Sequence, residues 1–372
     1  MSNIKALAYY LPQFHPTPEN DEWWGKGFTE WINVAKARPL FKGHVQPHLP
    51  ADLGFYDLRL PESRRMQAEY AKRAGISAFC YWHYWFGNGK QLLNYPLEEV
   101  VRLKEPAIPF CLAWANHPWY AKLWSSGKGM FNISKSKLLA EQTYPGKEDY
   151  KLHFDTMLPM FRDERYFRID GRLVFVVYAP QDMPNAREFM DYWNELAAKE
   201  GLGGFYFIAH CYVGELLERV RSLGFDAVNY SMHHEAFPNG GADHSNIFAT
   251  IRTGIRRRFK VKPTTMEYSK LIKRMETPLW DEHDIIPTLI PNWDHTPRSG
   301  NFGRVFMHAT PQLFAEHADM TFKHLVNKVD KEQVVFIKSW NEWGEGNYME
   351  PDIEFGTGWI DEFKKVIDKY NK

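Results

Sequence analysis

Short apolar runs, rich in β-branched and aromatic residues, recur along the chain with stretches of helical spacing between them. Eight of them read as strands: IKALAYY from Ile4, ISAFCYW from Ile76, PFCLAWA from Pro109 and LVFVVYA from Leu173, then GFYFIAH from Gly204, FDAVNYS from Phe225, IIPTLIP from Ile285 and VVFIKSW from Val334. They are almost continuously apolar rather than alternating, as expected of strands buried on both faces of a parallel sheet. Between them lie amphipathic stretches. In PESRRMQAEYAKRAG, Met66, Tyr70 and Ala71 fall at helical spacing and Gly75 makes a stop. AREFMDYWNELAAKEG precedes the fifth strand and GELLERVRSLG the sixth. Eight βα units predict an α/β protein, a single-domain (β/α)8 TIM barrel over residues 1–372. A doubly wound sheet is the alternative, but no strand runs into a G-x-G-x-x-G turn.

Two excursions break the regular spacing: residues 16–62 after the first strand, and residues 235–284 after the sixth, with the basic run IRRRFKVK. Both are βα loops by position, so both are expected over the active-site face.

The residues that follow each strand are polar or aromatic. The first strand ends in Tyr10, Gln13 and His15, the second in Tyr81, Trp82, His83, Tyr84 and Trp85, and the third in Asn116, His117 and Trp119. Tyr178 and His210 close the fourth and fifth. Tyr230 and His233 follow the sixth, with Asn292, Trp293 and Asp294 after the seventh. The eighth runs into KSWNEWGEGNYMEP, which holds Trp340, Asn341, Glu342, Trp343, Glu345 and Glu350. In a barrel these ends converge on one face, where catalytic residues sit. With Glu30, Trp31 and His48 of the first excursion, they form the candidate substrate-binding set around a candidate catalytic pair, Glu342 and Glu345. For YWHYWF (Tyr81–Phe86) the plainer reading is core filling beneath a loop.

Composition narrows the function classes. With 46 basic and 46 acidic residues among 372, nothing in the charge favours nucleic acid. Aromatic residues make up 16%, with 14 tryptophans, enough to supply stacking surfaces for sugar rings as well as packing. Cys80, Cys111 and Cys211 lie in apolar runs at no metal-like spacing and read as reduced core thiols. No segment resembles a signal peptide or a membrane span, which predicts a cytoplasmic protein. Arg256–Arg258 reads first as a solvated helix face; the sharper reading is peripheral contact with an anionic membrane surface or a lipid-linked sugar phosphate. Oligomeric state is not encoded in any pattern here.

Glu342 and Glu345 are three residues apart, so in a helical turn their Cβ atoms lie roughly 5–6 Å from each other. Two carboxyls that close cannot both ionise freely, which predicts one raised and one low pKa. Glycoside hydrolysis uses such a pair, at about 5–5.5 Å for retention and about 6.5–9.5 Å for inversion. The same acids with Asp294, His233 and His234 are a conceivable divalent-metal set, but no H-x-H or H-x-x-E-H pattern supports it, and no metal or cofactor is expected. A barrel that binds carbohydrate without cleaving it has no need of a close acid pair.

Several segments then resemble a known family: YYLPQFHP, GFTEWINV, QPHLPADLGFYDLR, AFCYWHYWF and SWNEWGEGNYMEP look like signatures of the WbsX-like proteins, commonly labelled glycosyltransferases of surface-polysaccharide loci. That family is similar to glycoside hydrolase family 99, the endo-α-1,2-mannosidases and mannanases. The resemblance spans residues 4 to 365. It implies a retaining hydrolase or transglycosidase acting on an oligosaccharide or polysaccharide through an E-W-x-E motif, here Glu342-Trp343-Gly344-Glu345. Glu342 would be the base on the sugar 2-hydroxyl, forming a 1,2-anhydro intermediate, and Glu345 the acid and then the base. A sugar-nucleotide transferase is the alternative, although no D-x-D pattern is present. Where the family pattern has W-A-N-E-x-W this chain has WANHPW, with His117 in place of the acid, and the 235–284 excursion does not align with the mannosidases. Both departures bear on which sugar is recognised.

Overall fold

The computed structural model describes residues 2–120, 137–237 and 262–371. All eight expected strands form: β1 Lys5–Tyr10, β2 Ala78–Trp85, β3 Phe110–Trp114, β4 Arg172–Val177, β5 Phe205–Cys211, β6 Ala227–Tyr230, β7 Ile285–Leu289 and β8 Val334–Ile337. Each pairs in parallel with the next, and β8 pairs with β1 (Leu7 opposite Phe336), so the sheet closes into a (β/α)8 barrel. Helices α1 Pro61–Ala74, α2 Tyr95–Leu103, α3 Lys147–Phe161 and α4 Ala186–Lys199 cover the first four strands. The short α5 Leu217–Arg221, then α6 Tyr268–Met275, α7 Pro311–Leu325 and α8 Gly358–Tyr370, cover the rest.

Helix α1 ends where expected, with Gly75 in the left-handed region at φ 84° and its N–H on the carbonyls of Ala71 and Lys72. Its buried face differs from the sequence reading. Met66 is exposed and Tyr70 half-buried, whereas Gln67 is fully buried. A buried amide is tolerated there because it donates to Glu350 (2.6 Å) and accepts from the Tyr10 hydroxyl (2.6 Å).

The upper barrel is filled by residues on alternate strand positions. Tyr9 stacks on Trp82 (4.7 Å, 4°) and bonds Asn229 across the lumen (2.8 Å), while Asn229 donates to Thr288 (2.9 Å). This is a packed polar and aromatic layer rather than a pore. The three cysteines are buried and unpaired.

The 16–62 excursion packs down as two short helices, Pro18–Trp24 and Trp31–Lys36, closing when the Leu58 N–H bonds Phe14 O. The 235–284 excursion is only partly an excursion. Strand Thr264–Glu267 pairs in parallel with Arg304–Met307, and α6 buries Tyr268, Leu271, Ile272 and Met275 as an ordinary βα-unit helix. Arg256–Arg258 lies outside the described residues. No helix among them is long and apolar enough to cross a membrane.

Candidate active site

Beyond β8 the chain turns through a short strand, Asn341–Glu342, and one 3-10 turn, Trp343–Glu345, that puts both acids on the C-terminal face. The turn closes at Gly346, φ 53°, where a Cβ would meet Asp294 Cβ at 2.9 Å. Two cations lie between the acids. Arg298 Nη1 is 3.1 Å from Glu342 Oε1 and 2.5 Å from Glu345 Oε1, and Lys338 Nζ is 3.3 Å from Oε2 of each. The two oxygens held on Arg298 Nη1, at 3.1 and 2.5 Å from it, lie at most about 5.6 Å apart, short of the roughly 6.5 Å at which inverting pairs begin. Ser339 donates to Glu342 (3.1 Å), the Trp293 indole to Glu345 (3.4 Å), and His295 Nε2 stands 3.4 Å from Glu345. Glu30 completes the cluster by taking Arg298 Nε on Oε2 at 3.1 Å.

The acid that the family resemblance casts as proton donor, Glu345, is held low rather than raised. Burial alone pushes Glu345 up, yet Lys338, Arg298 and His295 outweigh burial and hold it well below the usual carboxylate range. Burial lowers Lys338 and Arg298 less than the surrounding carboxylates raise them, so both stay charged. Each contact is worth roughly 4 kcal/mol in gross attraction at an effective dielectric near 20. Desolvation costs several kcal/mol per ion, so the cluster sets charge state more than it adds stability.

Around the acids stand Tyr84 and Tyr178, whose hydroxyls, raised first by burial, also feel Glu342 and Glu345. Tyr178 stacks on His210 (5.0 Å, 17°) and meets Trp82 edge-on, with His117 beside it at 5.2 Å. His233 and His234 lie against Trp293. Burial holds His210, His233 and His234 neutral, His210 and His234 at about 3. Trp119 packs edge-on against Tyr84 (4.9 Å), and half-buried Gln13 reaches Asn20.

Other members of the candidate set are placed elsewhere. The strand alternation that points Trp82 and Tyr84 inward turns Tyr81, His83 and Trp85 outward. His83 meets His153 of α3 (2.7 Å) and the Trp85 indole donates to Asp149 of α3 (3.1 Å). Tyr81 packs with Tyr10 and Phe79, and Tyr230 hydrogen-bonds Glu235. Trp340 lies in the core beside Phe79. Asn116 and Asn341 are strand ties: Asn116 bonds the Ala179 backbone and Asn341 that of Leu11. Trp31 and Trp343 pack on each other (5.8 Å), Trp343 stacks on Tyr348 (3.7 Å), and its indole donates to the fully buried Glu350 (2.6 Å). Asp294 is a latch, accepting from His44 and Gln46 of the first excursion (2.6 Å each) and from Thr296. His15 lines a separate cleft with Arg59, Gln91 and Tyr95. His48 and Asn292 line another with Tyr348 and Phe355.

Sequence reasoning missed Lys338, Arg298, His295 and Ser339. Lys338 carried a signal: two residues past the inward Phe336, it keeps the inner phase of β8. Arg298 had none, because it sits in a polar turn, Thr296–Ser299, whose path only the fold reveals. Among the described residues no group of three or more His, Cys, Asp or Glu is arranged to hold a metal.

The fold is thus a closed (β/α)8 barrel that carries paired carboxylates beyond its eighth strand. Residues 6–363 match the family described as Glycosyltransferase WbsX, and the chain belongs to that family. WxcX of Xanthomonas campestris pv. campestris, an uncharacterized protein, is 36% identical over 371 residues, covering 98% of this chain and 49% of that protein. The chain thus spans about half the length of the curated relatives it matches. Among solved structures, the GH99 endo-alpha-mannosidase from Bacteroides thetaiotaomicron superposes with a TM-score of 0.57 at 14% identity, over 100% of this chain and 98% of that one. A glycoside hydrolase-like protein gives 0.58 at 13% identity, over 100% and 95%. At these identities the likeness establishes the fold.

Proposed function

We propose that the chain is a retaining glycosidase-type enzyme that cleaves or transfers a glycan through Glu342 and Glu345. The carrying observation is that both carboxylates meet one nitrogen of Arg298 at the C-terminal end of the barrel. Glu342 takes the proton of the sugar 2-hydroxyl, whose oxygen attacks C1 as the bond to the leaving oxygen breaks. Glu345 gives that oxygen a proton, then takes one from the incoming water or acceptor hydroxyl, which opens the anhydro ring while Glu342 returns its proton to O2. In the resting site Glu345 is ionised. The donor step therefore requires the entering glycan to displace a cation from it and Glu345 then to take up a proton from water, which it passes to the leaving oxygen. Tyr178, His210, Trp82 and His117 supply rings and polar groups for an α-mannoside-like sugar or a surface-polysaccharide precursor.

The same ionised Glu345 favours a second reading, a glycosyltransferase whose donor leaves as a phosphate and needs no proton. The test is turnover of α- and β-linked mannosides, rhamnosides and glucosides, in water and with acceptor sugars, beside Glu342→Gln and Glu345→Gln. Product of retained configuration, lost in both variants, supports the hydrolase or transglycosidase. Turnover only with nucleotide-sugar donors replaces it with the transferase.

A further inference from the structure

We infer that Arg298, held by Glu30, is the positioning residue that sets the geometry of the Glu342–Glu345 pair, an inference that rests on the glycan chemistry proposed for those acids. The guanidinium has a rigid planar fork. One edge, Nε and Nη2, lies on Glu30 Oε2 (3.1 Å each), and the remaining nitrogen, Nη1, takes an oxygen from each acid. The side chains of Arg298 and Glu30 are only 12% and 5% exposed, so both are largely shielded from bulk water as an alternative partner.

Glu30 is itself fixed. Its N–H bonds Gln13 O, its carbonyl accepts from Asn33, and the next residue, Trp31, is wedged between Phe14, Tyr56 and Trp343. A second, independent observation comes from the acids' own turn. A Cβ on Gly344 would stand 2.0 Å from Glu30 Oε2 and 2.9 Å from Arg298 Nε. The third position of this E-W-x-E motif is therefore open so that the Glu30 carboxylate and the guanidinium can lie across it.

The groups facing Glu345 are Lys338 from β8, Arg298 and His295 from the loop after β7, Trp293, and Glu342 on its own turn. Without Arg298, Glu342 and Glu345 share the single ammonium of Lys338 and Glu30 loses its guanidinium partner, so the pair must both separate and take up a proton. Lysine at 298 restores the charge but not the fork, which separates geometry from electrostatics.

The experiment compares Arg298→Met, Arg298→Lys, Glu30→Gln and Gly344→Ala with wild type for kcat, KM and pH profile on a glycan found in the turnover screen, with folding checked by circular dichroism. Expected for Arg298→Met is a kcat loss of about 100-fold with little change in KM, and a shift to higher pH of the limb set by Glu345. Arg298→Lys should return that limb towards wild type while kcat stays low. Glu30→Gln and Gly344→Ala should lower kcat through Arg298. Unchanged kcat per folded molecule and an unmoved limb would overturn the assignment, leaving Arg298 a packing residue. If wild type turns over no glycan, the proposed chemistry fails, and the cluster is judged by unfolding against pH. The stability tied to Glu345, present above roughly 4.3 and lost as pH falls, must shrink in Arg298→Met, and an identical pH dependence refutes the inference.

Discussion

The ammonium of Lys338 stands 3.3 Å from a carboxylate oxygen of Glu345, the two side chains each only 15% exposed at the end of the strand that delivers both. A lysine in the last inner position of a barrel strand is costly to desolvate unless it neutralises something. Here it is the largest of the influences opposing burial at Glu345. Lys338→Met removes that attraction and raises Glu345 towards the ordinary range. Whichever limb of the kcat/KM profile Glu345 sets should therefore move to higher pH. A profile that superposes on wild type would mean that Glu345 does not titrate in the rate-limiting step.

Trp82 and Trp85 sit three apart in one aromatic run, yet only the first faces the site. Trp85→Ala deletes an indole that is 1% exposed, stacks on His153 at 4.6 Å and donates to Asp149. Its expected effect is a loss of about 3–5 kcal/mol in unfolding free energy, with activity per folded molecule retained. Trp82→Ala opens the layer where Tyr9 and Tyr178 meet, and should raise KM for a glycan. Denaturant titration paired with steady-state kinetics separates the two, and equal KM changes would contradict the inward and outward assignment.

That pair also marks where the sequence is legible. The eight strands are readable because continuous apolar runs have only one economical place, a sheet buried on both sides. The acids are readable because charge seldom follows such a run without a use. Strand phase is less readable when every position is aromatic: in YWHYWF nothing in hydrophobicity separates Tyr81 from Trp82, and the lumen partners Tyr9 and Asn229 lie far off in sequence. Glu350 looked like a third site acid, but its burial among Tyr56, Gln67 and Trp343 is a long-range fact.

Asp294 ties the first excursion to the loop after β7, and its N–H bonds the Glu345 carbonyl at 2.8 Å. Asp294→Ala leaves His44, Gln46 and Thr296 without their shared acceptor. The expected cost is about 2–4 kcal/mol, since buried hydrogen bonds to a charged group are among the stronger ones. Because Glu30 lies on the same excursion, activity should fall further than stability. Thermal unfolding and turnover measured on the same preparation check this, and a stability loss with unaltered kcat would limit the latch to folding.

Glu350 gives a pH dependence of opposite sign to the site acids. Burial raises it to about 7, only partly offset by donors from Trp343, Gln67 and Tyr56. An acid whose folded pKa lies above its unfolded value near 4.3 binds more protons when folded, so its contribution to stability falls as pH rises from roughly 4.3 to 7 and is level beyond. Glu345 and Asp294, both depressed, work the other way: their stabilisation is present above their unfolded values and is lost as pH falls. Glutamine resembles the protonated acid, so Glu350→Gln should match wild type near pH 4 and gain about 3 kcal/mol relative to it by pH 8. Denaturation midpoints across that range are the measurement. A difference that does not grow with pH would mean that Glu350 is ionised throughout, with its three donors holding the charge.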